Sequence, residues 1–122
     1  MLTLSAFLKL IEFDPYFAHG NFSAIYERVR NYRRKHRSIS RHTPEQICHA
    51  VDLASIWYWK PPLCLQRSAA ATCLLRRHGL PAEMVVGVRQ YPFGAHAWVE
   101  VNGQVANDKP YMDEIYAVLV RC

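Results

Sequence analysis

The hydrophobic rhythm of the chain changes once, at Gly79-Leu80-Pro81, and that change limits the fold more than any other feature. Before it, apolar residues recur at three- and four-residue steps; after it, short β-branched runs are separated by turn residues. Helices first and strands second describe an α+β fold, with helices packed on an antiparallel sheet. At 122 residues and 51% hydrophobic composition, the chain can bury one core of ordinary size. Residues 1–122 are therefore read as a single domain, with a helical part over 1–50 and a core of mixed structure over 51–122.

The helical part divides at its start and stop signals. Leu4, Phe7, Leu8 and Ile11 make an amphipathic helix of the first 13 residues. Lys9 and Glu12 interrupt that stretch and no basic segment precedes it, which is not the pattern of a signal peptide. From Phe22 to about Arg37, Phe22, Ile25, Val29 and Tyr32 keep helical spacing, while Arg28, Arg30, Arg33, Arg34, Lys35 and Arg37 fill much of the rest. Thr43-Pro44-Glu45-Gln46 carries a capping hydroxyl, a proline at the first helical position and a Gln three residues after the cap. Ile47, Ala50, Val51 and Ala54 continue it as a core-facing stripe. Pro61-Pro62 then stops any helix and sets an extended approach to Cys64. The next helix begins at or near that thiol, presents small residues from Ser68 to Ala71 for close packing on a sheet, and ends at Gly79.

Strands are expected near 84–89, 96–101 and 104–108. The turn at Asn102-Gly103 allows two registers. A two-residue turn pairs Val101 with Gln104 and Ala97 with Asp108, sending His96 and Asp108 to opposite faces. A three-residue loop with Gly103 left-handed in a bulge pairs Glu100 with Gln104, Val99 with Val105 and His96 with Asp108. The second is expected, because it stacks valine on valine and sets the two polar residues side by side. Trp98 then shares the face of His96.

Thiol, imidazole and carboxylate in this order have a chemical use. Cys64 at a helix amino terminus feels the positive end of the macrodipole, and a neighbouring imidazolium further favours the nucleophilic thiolate. His96 can accept the thiol proton and hand it to a leaving amine, while Asp108 holds the ring tautomer. The backbone amide of Cys64 is one oxyanion donor; Trp57, Trp59 and Gln66 are candidates for a second. No cofactor is required.

The blocks Cys64-Leu65-Gln66-Arg67-Ser68, Leu74-Leu75-Arg76-Arg77-His78-Gly79, Val86-Gly87-Val88-Arg89, Pro92-Phe93-Gly94-Ala95-His96-Ala97-Trp98-Val99-Glu100 and Asn107-Asp108 together resemble the transglutaminase-like leader peptidases of lasso-peptide biosynthesis. The resemblance covers roughly the last half of the chain. It implies a papain/transglutaminase-like fold and a cysteine protease triad of Cys64, His96 and Asp108. It also implies removal of the leader from a ribosomally made lasso-peptide precursor through a thioester. Two partners follow from it: a separate leader-recognition protein, since residues 1 to about 50 read as helical, and a downstream ATP-dependent macrolactam cyclase. Trp98, Arg33 and Arg34 are candidates for contact with substrate or partner.

Other readings stand beside this one. Acyl transfer to an amine shares the same acyl-enzyme, so an acyltransferase or amidase of the same fold is an alternative. Thiolate, imidazole and carboxylate are all zinc ligands, but their spacing matches no compact metal motif. The formal charge of +5 and the basic run from Arg28 to Arg41 raise nucleic-acid binding, yet no known reading module surrounds them. Most such charge runs are solvated helix faces, and an acidic leader or partner is the candidate contact there. Cys48, Cys73 and Cys122 read as structural. No stretch approaches membrane-spanning length, so a cytoplasmic location with reduced cysteines is expected.

Overall fold

Helix α1 (Leu2–Ala18) and helix α2 (Phe22–Asn31) open the chain in the computed structural model, which describes residues 2–18, 22–32, 43–58, 64–90, 93–108 and 110–122. The buried positions of α1 are Ala6, Leu10 and Phe13, three or four residues apart, whereas Leu4, Leu8 and Ile11 face outward. Of the apolar stripe legible in the sequence, only Phe7 packs on the core, against Tyr58. Ala6 carries no bulk beyond its Cβ, which lets α1 lie closely on the helices that follow. α2 buries Ile25 and Val29 and ends at Asn31. The expected continuation to Arg37, with most of the basic run, lies outside the described residues.

Helix α3 (Pro44–Ile56) begins with the expected capping box. The Gln46 amide donates to Thr43 Oγ1 at 3.2 Å, and the Thr43 amide donates to Gln46 Oε1 at 2.9 Å. Ile47, Ala50, Val51 and Ala54 are buried, as their spacing required. Helix α4 (Cys64–Arg77) starts at the thiol and buries an almost unbroken run from Ser68 to Leu75. Gly79, at a φ of 85°, takes the left-handed conformation that turns the chain out of it.

The sheet has four antiparallel strands in the order β3-β2-β1-β4: β1 (Ala82–Gln90), β2 (Phe93–Val101), β3 (Gln104–Val105) and β4 (Ala117–Arg121). Beyond the three expected strands stand β4 and the short helix α5 (Met112–Ile115). Ala82, Val99 and Val101 pack with α1, α3 and α4, and Met84 packs with Ala69 and Cys73 of α4. Val85 and Trp98 face the other way, onto Met112 and Tyr116.

The hairpin register corrects the expectation. Val101 pairs with Gln104 and Glu100 with Val105, across a two-residue turn. Asn102 at φ 54° and Gly103 at φ 79° both take positive values, the requirement of a type I′ turn, and Asn-Gly meets it at little steric cost. The predicted valine stacking carries no weight, because β3 ends at Val105. The Ala106 amide still donates to the Val99 carbonyl at 2.8 Å, but the return bond from the Val99 amide goes to Asn107 Oδ1 at 2.8 Å. From there the chain leaves the ladder, so the opposite-face rule does not govern Asp108.

A half-buried guanidinium ties helices to sheet. Arg76 donates to the carbonyls of Ala82 at 2.9 Å, Cys122 at 2.7 Å, Tyr32 at 3.3 Å and Val29. The end of α2, the start of β1 and the end of β4 thereby meet on one side chain of α4.

Candidate functional site

Cys64 is the half-buried cysteine among four; Cys48, Cys73 and Cys122 are buried. Burial pushes the Cys73 thiol up to about 11 and, with nearby Asp52 and Glu45, the Cys48 thiol up to about 12; it also raises Cys122. Those three stay protonated at neutral pH and pack as small apolar groups. Cys64 instead opens α4, where the first backbone amides have no acceptor within the helix. With Tyr26, Leu65, Val86, Ala95, His96 and Ala97 it lines a cleft of about 220 Å³.

His96 lies in β2 opposite Gly87 of β1. Its ring donates Nε2–H to Oδ2 of Asp108 at 2.6 Å, both side chains being about a quarter exposed. With Nε2 committed to the carboxylate, Nδ1 keeps the free lone pair. Alternation along β2 puts His96 on the face of Trp98, the face turned away from α4, as the shared-face reading anticipated. Among the described residues no hydrogen bond joins Cys64 Sγ to the ring, although both residues line the cleft. Nor do the described residues contain a group of three or more His, Cys, Asp or Glu arranged to hold a metal.

Aromatic rings fix the imidazole plane. Tyr116 stacks on His96 with centroids 5.7 Å apart at 27°, and Trp98 lies 6.4 Å from it at 24°. The Arg89 guanidinium sits over the Tyr116 ring at 5.4 Å. Gly87 lies beneath the cluster, where a Cβ would come within 2.8 Å of both Trp98 Cη2 and Tyr116 Cβ. Trp98 is itself held: its indole donates to Glu100 Oε2 at 3.0 Å, and Arg121 donates to Glu100 Oε1 at 2.8 Å. Glu100 is only 6% exposed, and these two donors compensate its buried charge.

Several candidates are placed elsewhere. Gln66 is 2% exposed and donates to the Leu10 carbonyl at 2.9 Å and the Tyr58 hydroxyl at 3.5 Å, so its amide belongs to the seam with α1 and not to the cleft. Trp57, at the end of α3, is 78% exposed and is not on the cleft wall. Trp98 is fully buried; it supports His96 and offers no surface to a substrate. Trp59, Arg33 and Arg34 lie outside the described residues. Sequence reading gave Tyr116, Glu100 and Asn107 no role, although Glu100 and Asn107 stand in the blocks that carry His96 and Asp108.

Residues 9–121 match the pattern of the transglutaminase-like superfamily. The chain is also similar to the microcin J25-processing protein McjB of Escherichia coli, at 45% identity over 56 residues. That stretch covers 46% of this chain and 27% of the relative, so the match spans about a quarter of the relative's length. No solved structure matches the chain. No helix among the described residues is long and apolar enough to cross a membrane.

Proposed function

The chain belongs to the transglutaminase-like superfamily, and from that premise we propose that it is a cysteine peptidase that removes the leader from a ribosomally made lasso-peptide precursor, using Cys64, His96 and Asp108. One observation carries the reading: His96, bonded through Nε2–H to Asp108 Oδ2 at 2.6 Å, is among the residues lining a cleft that half-buried Cys64 also lines. The likeness to a processing protein supports the substrate class.

Each group then has one task. Asp108 fixes the tautomer, leaving Nδ1 to take the Cys64 proton. Sγ attacks the scissile carbonyl, and the oxyanion is met by the backbone amide of Cys64 at the open end of α4. Nδ1–H protonates the leaving amine, and a thioester remains. Water, deprotonated by Nδ1, attacks the thioester; the carboxylic acid leaves and the proton returns to sulfur. Catalytic hydrogen bonds in unliganded enzymes are commonly long and close when substrate binds. No hydrogen bond joins Sγ to Nδ1 among the described residues, so the reading requires the two to close when substrate binds. A separate leader-binding protein delivers the precursor, and an ATP-using cyclase takes the released core peptide.

Incubation with a candidate precursor, with and without its leader-binding protein, and mass spectrometry of the products tests this. Two fragments whose masses sum to the precursor plus one water are expected from the native chain, and none from Cys64→Ala or His96→Ala. Continued cleavage by folded Cys64→Ala would overturn the assignment.

A further inference from the structure

We propose that Asn107 is the positioning residue that delivers the Asp108 carboxylate to His96; the proposal rests on the reading above, in which Asp108 serves the imidazole. The type I′ turn alone would carry Asp108 to the wrong side. With Val101 opposite Gln104 and Glu100 opposite Val105, continued pairing puts Ala106 opposite Val99 and Asp108 opposite Ala97. Half of the next rung forms, from the Ala106 amide to the Val99 carbonyl at 2.8 Å. The other half does not, because Asn107 Oδ1 takes the Val99 amide at 2.8 Å. The side-chain amide thus stands in for the Ala106 carbonyl, ends the ladder one residue before Asp108, and releases the backbone to bend.

The opposite end of the same side chain reaches α4. Asn107 Nδ2 donates to Ser68 Oγ at 3.4 Å, and Ser68 is buried one turn after Cys64. Asn107 therefore bridges the strand bearing His96, the bend bearing Asp108 and the helix bearing Cys64. The position calls for an acceptor toward Val99 and a donor toward Ser68 on one short arm, which is the inventory of a carboxamide. Aspartate keeps the acceptor, and the Ser68 hydroxyl can turn to donate to it. Leucine, of similar shape, supplies neither.

The test reads the ring directly. In histidine-labelled protein, ¹⁵N spectra of neutral His96, identified by its loss in His96→Gln, report which nitrogen carries the proton. Native chain and Asn107→Asp should show the Nε2–H form; Asn107→Leu should show a mixture. Should Asn107→Leu fail to fold, Asn107→Ser, too short to reach the Val99 amide, asks the same question. In precursor cleavage, Asn107→Leu should lower kcat by about 10–100-fold with KM little changed. Combined with Asp108→Asn, it should add nothing to the loss from Asp108→Asn alone. An unchanged tautomer in folded Asn107→Leu or Asn107→Ser, or losses that multiply, would overturn the proposal. The spectra judge Asn107 without reference to cleavage, so the peptidase reading can fail separately, through Cys64→Ala.

Discussion

Substituting alanine for Gly87 asks how tightly the imidazole's surroundings are packed. The new Cβ would sit 2.8 Å from Trp98 Cη2 and 2.8 Å from Tyr116 Cβ. Carbon pairs settle at about 3.5–4.0 Å, so ring and strand must part by roughly 0.7 Å or more. Neither neighbour yields easily. The indole is held by Glu100 at 3.0 Å, and Tyr116 Cβ moves only with its backbone. Overpacking of this kind costs about 1–3 kcal/mol. Against it, alanine is favoured over glycine in ordinary extended backbone by about 0.5–1 kcal/mol, and Gly87 is not among the residues at positive φ. The net expectation is a loss of about 1–2 kcal/mol, or a fall in Tm of roughly 4–8 °C for a chain of this size. Calorimetry of native protein and Gly87→Ala measures it. Because the displaced rings are those that stack on His96, cleavage by the folded variant should fall as well. Trp98→Leu, which removes the offending ring tip, should make the alanine less costly than it is beside tryptophan. A variant that melts at or above the native temperature would refute the packing argument, since only the glycine-to-alanine gain would then be acting.

Four further outcomes follow from the same contacts. Asp108→Asn should lower kcat for precursor cleavage by about 10³–10⁴-fold with the fold intact, by permitting the wrong ring tautomer; single-turnover kinetics measure it, and an undiminished rate would remove Asp108 from the mechanism. Iodoacetamide on native protein near pH 7 should modify Cys64 well before Cys48 or Cys73, as read by peptide mass mapping; comparable early labelling of Cys73 would contradict its burial. The folded thiols of Cys73 and Cys48 rise from 9.0 to about 11 and about 12, so the fold binds those protons more tightly than the unfolded chain does. Their stabilisation is complete below about pH 9 and is lost as pH climbs toward those values, so urea midpoints should fall through that window, and less steeply in Cys73→Ala. Arg76→Met should cost at least about 3 kcal/mol in urea unfolding, because it strips a donor from four carbonyls at once; a loss under about 1 kcal/mol would mean water replaces it freely.

Local chemistry made the ends of elements legible. A proline pair before Cys64 and a glycine after Arg77 bounded α4, and Thr43 with Gln46 marked the start of α3, because these signals act within a few residues. The hairpin register was misjudged where two local preferences competed. Valine pairing argued for the longer loop, but β3 is too short to collect it, and the conformational ease of Asn-Gly decided. His96 and Asp108 meet through a side-chain amide that interrupts the ladder, which strand alternation cannot express. The outward turn of the apolar stripe of α1, the burial of Gln66 and the enclosure of Trp98 all depend on which neighbour arrives from far along the chain. β4 escaped notice for the same reason, since Ala117–Arg121 has no alternating pattern and becomes a strand only because β1 offers it an edge.

Tyr116 and Arg121 emerge after every reactive group. During synthesis the sulfur at Cys64 leaves the ribosome first, the ring at His96 next and the carboxylate at Asp108 third. Tyr116 of the aromatic wall, and the Arg121 guanidinium that steadies Trp98 through Glu100, come later still. A nascent chain halted before Tyr116 therefore holds all three groups with only Trp98 of the two rings that stack on the imidazole. Proteolytic loss of residues 116–121 would remove Tyr116 and Arg121 from around the imidazole without touching the thiol.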